Sequence, residues 1–207
     1  MFRQVCGLDK KDFLAWSRKY DKDQGWLTQK ELELGARFRK QKVMTLADLA
    51  AVVEWQFRGD EEKRKRVLEL VARNDEASVL RVSSQVFSLP VADDVFRMNC
   101  LMNLQGVSPV LASVVLSFFD PTQYGVFDVY VWRALLGNEA PNLFSAVNYL
   151  NLLSALRKTA AKHNLNVRTV EKALVKKKLD ESGMGEKGSQ RKSGRATAKP
   201  KTRIKKK

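Results

Sequence analysis

Residues Leu104 to Arg133 read LQGVSPVLASVVLSFFDPTQYGVFDVYVWR. Two apolar stretches of helical period meet across Gly106-Val107, a loop containing Pro121 and Gly125 follows, and Asp128 opens a third apolar stretch. Ser108-Pro109 is a helix start. The serine hydroxyl accepts an orphan N–H, and proline at the first helical position has no N–H to leave unpaired. The joint between the two helices is thereby confined to Gly106-Val107, where glycine's tolerance of positive φ permits a tight reversal. N–H groups at the start of the second helix point outward at its positive end, where a phosphate can bind. Val110, Leu111, Val114, Val115 and Phe118 give that helix a core face. On turn chemistry alone the plainer reading is an ordinary αα-hairpin. Asp128 taken alone is the N-cap of a helix over Val129–Leu136.

Outward from this stretch the chain keeps a helical period. Asp9 to Tyr20 carries Phe13, Leu14 and Trp16, and Gly25 interrupts it. Thr28-Gln-Lys-Glu31 has the form of a capping box ahead of a helix with Leu32, Leu34 and Phe38. Thr45 caps the next, which ends at Gly59; Asp60–Arg73 and Glu76–Leu89 follow across an Asn74-Asp75 joint, and then Ala92–Leu104. Beyond the opening stretch, Pro141–Ala161 carries Phe144, Val147, Leu150, Leu153 and Leu156 toward the core, and Val167–Lys178 is the last helix. No strand pattern or internal repeat appears. The expected fold is all-α: an orthogonal bundle of about ten helices over residues 1–180, in one or two lobes, with a helix-hairpin-helix motif.

The net charge is +15, which favours a polyanionic partner, nucleic acid before an anionic membrane. From Lys176 to Lys207 there are thirteen Lys and Arg against three Asp and Glu, so +10 of the excess lies at that end and +5 in the remainder. Residues 181–207 are poor in large apolar side chains and are expected to form a disordered Lys/Arg-rich tail. Such an arm raises affinity for phosphate and, having no aromatics, stacks on no base. Lys63-Arg-Lys-Arg66 shares its helix with Asp60, Glu61 and Glu62 and reads as a solvated face. His163 reads as a surface residue. The two cysteines, Cys6 and Cys100, have no metal-ligand spacing and suggest a reducing compartment. No apolar run reaches membrane-spanning length. The expected setting is intracellular, in cytoplasm, nucleoid or nucleus, and the expected state is a monomer without membrane association.

In combination, the hairpin, loop and aspartate resemble the helix-hairpin-helix, Gly/Pro-Asp superfamily of DNA glycosylases, to which endonuclease III belongs. Leu104, Gly106, Val107, Ala112, Pro121, Gly125, Asp128, Val131 and Arg133 fall in register with that pattern over the thirty residues. The resemblance implies DNA as partner, backbone contact through Gly106, Val107, Ser108 and Val110, and Asp128 as the essential carboxylate. It implies no metal and no cofactor, at most a monovalent cation at the hairpin. The departures narrow the activity. Bifunctional members carry an attacking lysine where this chain has Val110, so a Schiff-base lyase is excluded. Ser108 replaces the hairpin's second glycine, Val129 replaces a common threonine, and the cysteine cluster of endonuclease III is absent. The implied function is a monofunctional DNA glycosylase of base-excision repair; the alternative is a non-catalytic helix-hairpin-helix DNA-binding protein with a basic arm.

The chemistry asked of Asp128 is coherent. Cleaving an N-glycosidic bond builds positive charge on the sugar, which an ionised carboxylate in a partly desolvated pocket stabilises while positioning water. The target base must leave the duplex, and a stacking or wedge residue should accompany it. Trp55, Phe57, Tyr124, Phe127, Tyr130 and Trp132 are the candidates, with Tyr124 and Phe127 foremost because they share the loop with Asp128. Arg133 is a candidate phosphate contact or the partner of a neighbouring carboxylate.

Overall fold

The computed structural model describes residues 7–89, 93–137 and 142–182. The expected tail, apart from its first two residues, lies outside them, as do Cys6 and Pro141.

Ten helices and no strand occupy the described residues: α1 (Lys10–Asp23), α2 (Gly25–Gln41), α3 (Leu46–Gln56), α4 (Glu61–Val71), α5 (Glu76–Ser88), α6 (Asp94–Met102), α7 (Pro109–Phe119), α8 (Val129–Leu136), α9 (Ala146–His163) and α10 (Val167–Glu181). The all-α class is as expected. Most starts are set locally. Asp9, Thr45, Asp60, Asp75, Asp93, Ser108, Asp128 and Ser145 each accept a backbone N–H from the first turn of the helix they precede.

Helices α2 to α7 gather around α7. Every residue of α7 from Leu111 to Phe119 is buried, as a helix apolar on all sides requires. Close approach is achieved at Gly35 in α2, where an added Cβ would stand 2.5 Å from the Phe118 carbonyl oxygen. Arg39 Nη1 donates to that same oxygen at 2.8 Å. The Trp55 ring meets Phe118 edge-on at 5.0 Å, and its indole N–H donates to the Leu27 carbonyl at 2.9 Å.

The second group joins the two sequence-distant helices α1 and α10, which lie along one another, with α8 and α9 against α10. It meets the first group where α6 and α7 touch α9, and through charges between α2 and α10. Arg168 binds Glu31 with two bonds of 2.8 Å, and its remaining Nη1 pairs with Glu171. Lys172 reaches Asp21 at 2.8 Å and Glu31 at 3.3 Å. Burial pushes the Glu31 carboxyl up, but Arg168 and Lys172 outweigh it and hold it below the ordinary carboxylate range.

Several local expectations are corrected. Thr28 and Glu31 form no capping box: α2 begins at Gly25, the Thr28 hydroxyl donates to Asp21, and Glu31 is drawn inward by Arg168. Lys176, counted above with the cationic end, lies buried in α10 and pairs with Asp23 and Asp180. α9 starts at Ala146 behind its cap Ser145 rather than at Pro141, so Phe144 precedes it. Phe144 and Val147 face outward, as does Leu32.

Candidate nucleic-acid interface

Asn103–Ser108 joins α6 to α7. Leu104 N–H donates to Leu101, and Val107 N–H donates back to Leu104, at 3.1 Å each. Gly106 has φ +82, and a Cβ there would come within 3.0 Å of Leu70 Cβ and 3.1 Å of the Val71 nitrogen. The glycine is therefore required twice, by backbone conformation and by the end of α4 beneath it. Asn74, at the α4–α5 joint, fixes the same turn. Its Oδ1 accepts the Gln105 N–H at 2.8 Å, and its Nδ2 donates to the carbonyls of Gln105 and Val71 at 3.0 and 2.8 Å. Asn74 carried only a joint signal in the sequence; its partner stands 31 residues away.

Val107 is buried, Gly106 and Val110 are half-buried, and Ser108 is exposed. The Ser108 hydroxyl accepts the Leu111 N–H at 3.3 Å. The N–H groups of Ser108 and Val110 meet no acceptor among the described residues. Exposed cations lie on the same supporting segment: Lys65, Arg66 and Arg73 form no ion pair among the described residues. The turn is thus pinned by Asn74, and the N–H groups of Ser108 and Val110 are left without a protein acceptor among the described residues.

The loop from Asp120 to Asp128 is gripped from every adjoining element. The Tyr124 hydroxyl donates to Asp94 of α6 at 2.7 Å, and Arg157 of α9 holds Asp94 at 2.5 Å and the Gln123 carbonyl at 3.1 Å. Tyr149 donates to the Gly125 carbonyl at 3.1 Å. The Arg168 N–H of α10 donates to Pro121 at 3.0 Å. The decisive contact comes from α7 itself. Ser113 Oγ donates to the Val110 carbonyl at 2.6 Å and accepts the buried Phe127 N–H at 2.8 Å. The residue before Asp128 is thus tied to α7 about one turn from the hairpin. A hydroxyl in a helix buried on all sides has to find a partner; the sequence signalled that need, but not that Phe127 would meet it.

Asp128 is half-buried at the N-terminus of α8. Its Oδ1 accepts the N–H groups of Tyr130 at 2.6 Å and Val131 at 3.4 Å, whereas no described residue donates to Oδ2. Burial raises its pKa above the ordinary value, against the opposing effect of those two N–H groups and the charge of Arg168. One carboxylate oxygen is thus occupied as a cap. Arg133 is exposed on the last turn of α8.

The candidate aromatic residues are distributed differently from the carboxylate. Trp55, Phe57, Tyr124, Phe127 and Trp132 are buried, and Tyr130 is half-buried. Phe127 packs against Trp132, Tyr149 and Phe144, and of these four rings Phe144 alone is exposed. The Trp132 indole N–H is buried with no acceptor among the described residues. A polar cavity of about 160 Å³ between α1, α2, α7 and α10 is a separate place: Glu31, Arg39, Ser117, Arg168 and Lys172 line it, and neither Asp128 nor a hairpin residue does. No group of three His, Cys, Asp or Glu among the described residues is placed to share a metal ion, and no described helix is long and apolar enough to cross a membrane. In comparisons with known proteins, the chain matches no family model, no curated protein and no solved structure.

Proposed function

We propose that the chain binds DNA through the Gly106 hairpin and acts on it as a monofunctional DNA glycosylase, with Asp128 as the carboxylate at the reacting sugar. The observation that carries this reading is the Ser113 hydroxyl bound to the Phe127 N–H at 2.8 Å. It couples the phosphate-facing start of α7 to the backbone that presents Asp128, so a strand held at the first has its sugar near the second. Free N–H groups at Ser108 and Val110 receive phosphate oxygens. Arg73, close to the seated turn, adds charge, and Arg133 supplies a further phosphate contact. Asp128 Oδ2 then faces the cation-like sugar as the base departs, and partial burial strengthens that attraction. A raised pKa also makes the carboxylate a better acceptor for a proton from water. Val110 offers no amine, so the reaction ends at base release.

A specific observation favours the non-catalytic alternative as well: Asp128 has a complete structural duty through Oδ1, which a binding module needs as much as an enzyme does.

Duplexes carrying a panel of damaged and mismatched bases, cleaved with alkali after incubation, separate the two. The expected result is strand cleavage for at least one lesion with wild type and none with Asp128→Asn, at equal DNA affinity. Equal behaviour of both proteins on every lesion overturns the catalytic part. Absence of binding to any DNA at low salt overturns the whole reading. Hairpin binding should also weaken with salt, with a log–log slope of about −0.9 for each phosphate contacted.

A further inference from the structure

We infer that the cavity between α1, α2, α7 and α10 is a binding site for a small oxyanion, a phosphate or carboxylate group. The inference stands apart from the DNA-binding reading, since neither Asp128 nor a hairpin residue lines this cavity.

The cavity has room for such a group. It holds about 160 Å³, whereas a single water needs about 10–15 Å³. Three cations line it, Arg39, Arg168 and Lys172, with two acids, Asp21 and Glu31. Both acids are already paired. Arg168 binds the two oxygens of Glu31 at 2.8 Å each, and Lys172 reaches Asp21 at 2.8 Å. Glu171, outside the lining, takes the remaining Nη1 of Arg168. Arg39 is the cation left over. It is exposed and forms no ion pair among the described residues. Its Nη1 donates to the Phe118 and Phe119 carbonyls at 2.8 and 3.4 Å, and the rest of its guanidinium has no acceptor among the described residues.

Two further donors line the same cavity. The start of α10 has no side-chain cap, because Asn166 accepts no N–H there. Loop carbonyls take the first N–H groups instead: Val167 donates to Thr122 at 3.3 Å and Arg168 to Pro121 at 3.0 Å. The next N–H, that of Thr169, has no acceptor among the described residues, and it lies at the positive end of a 15-residue helix. Ser17 is the independent sign of a ligand. It is only 7% exposed, and its hydroxyl makes no hydrogen bond to any described residue. A buried hydroxyl without a partner is uncommon and costs stability. An occupant of the cavity supplies that partner.

The occupant follows from these groups. The guanidinium of Arg39, the Thr169 N–H and the Ser17 hydroxyl are all donors, contributed by α2, α10 and α1. What they share must therefore accept hydrogen bonds, and the unpaired charge of Arg39 asks that it be negative. An oxyanion meets both demands, because its oxygens accept several charge-assisted bonds at once. A cation or an apolar molecule meets neither. Bound there, the anion joins α2 of the first helix group to α1 and α10 of the second.

The test follows the backbone amide signals of the full chain by NMR during titration with sodium phosphate and, separately, sodium acetate, at constant ionic strength. The expected result is a saturable shift of the Thr169 amide with at least one of the two, and the one that saturates identifies the group as phosphate or carboxylate. Arg39→Gln should weaken that binding about ten-fold or more, the scale of one hydrogen bond to a charged group, and Ser17→Ala about two-fold or more. Absence of a saturable shift at Thr169 with both anions overturns the inference, as does equal affinity in wild type and Arg39→Gln. Saturation confined to Ser108 and Val110 reports anion binding at the hairpin and likewise overturns the cavity site. Should Arg39→Gln not fold, Ser17→Ala decides, since it removes a hydroxyl alone; unchanged affinity in that variant overturns the site.

Discussion

Asparagine at position 128 can do one of the two things proposed for the aspartate. Its side-chain oxygen caps α8 about as well, so Asp128→Asn should retain the fold, whereas Asp128→Ala should lose about 1 kcal/mol in urea denaturation. The pH dependence has a definite sign. Burial holds the folded-state pKa of Asp128 above the ordinary 3.8, so the folded protein binds the proton more tightly than the unfolded chain. A stability penalty therefore sets in as pH rises through 3.8 toward the folded value, and is absent below 3.8. Asp128→Asn removes it and should be at least as stable as wild type at neutral pH. Trp132→Phe keeps a ring beside Phe127 and deletes an indole N–H that has no acceptor. Its melting temperature should match or exceed that of wild type, where most substitutions of buried tryptophan lower it. At this scale the sequence was readable at the hairpin, where partners are neighbours: Ser108, Pro109 and Asp128 stand at the helix starts assigned to them. Ser113 and Phe127 lie 14 residues apart, and nothing in either residue type names the other.

Among the elements, two glycines set how closely helices approach. Gly106→Ala places a Cβ at positive φ against Leu70 and Val71, and should cost about 1–3 kcal/mol while loosening the turn from α4. Gly35→Ala drives a Cβ toward the Phe118 carbonyl and must push α2 off α7 or break the Arg39 bond, with a loss of similar size. The two should differ in function. On the proposed reading, Gly106→Ala weakens DNA binding in an anisotropy titration and Gly35→Ala leaves it intact at temperatures where the protein is folded. The helix starts capped by Thr45, Ser108 and Asp128 were legible because the cap chemistry is local, whereas the start at Ser145 was not, that helix being expected from Pro141. The Thr28–Glu31 pattern misled because a capping box needs its glutamate free, and Arg168, 137 residues away, claims it. The outward turn of Phe144 and Val147 was hidden for a related reason: helical period says which residues share a face, not whether another helix covers it.

Across the whole molecule, the charges between α2 and α10 set its response to acid. Glu31 has a folded-state pKa below the ordinary 4.5, so its contribution is fully present above 4.5 and is lost as pH falls through the folded value. Glu31→Gln leaves buried Arg168 with Glu171 as its remaining carboxylate and should cost about 3 kcal/mol at neutral pH. In acid, wild type should lose stability more steeply than the variant, so that their denaturation midpoints converge. None of this network was legible beforehand, since it joins the two ends of the described chain. That joining has a consequence for the order of assembly. Helix α1 leaves the ribosome before the other described helices, yet the surface it packs against is α10, the last of them to be made. Helices α2 to α7 can collapse around α7 in the meantime, while Phe13 and Tyr20 on α1 wait for their cover. In pulse-labelled hydrogen exchange during refolding, amides of α7 should gain protection before those of α1. The loop bearing Asp128, whose Pro121 carbonyl takes an N–H from α10, would then gain that tie only when α10 docks.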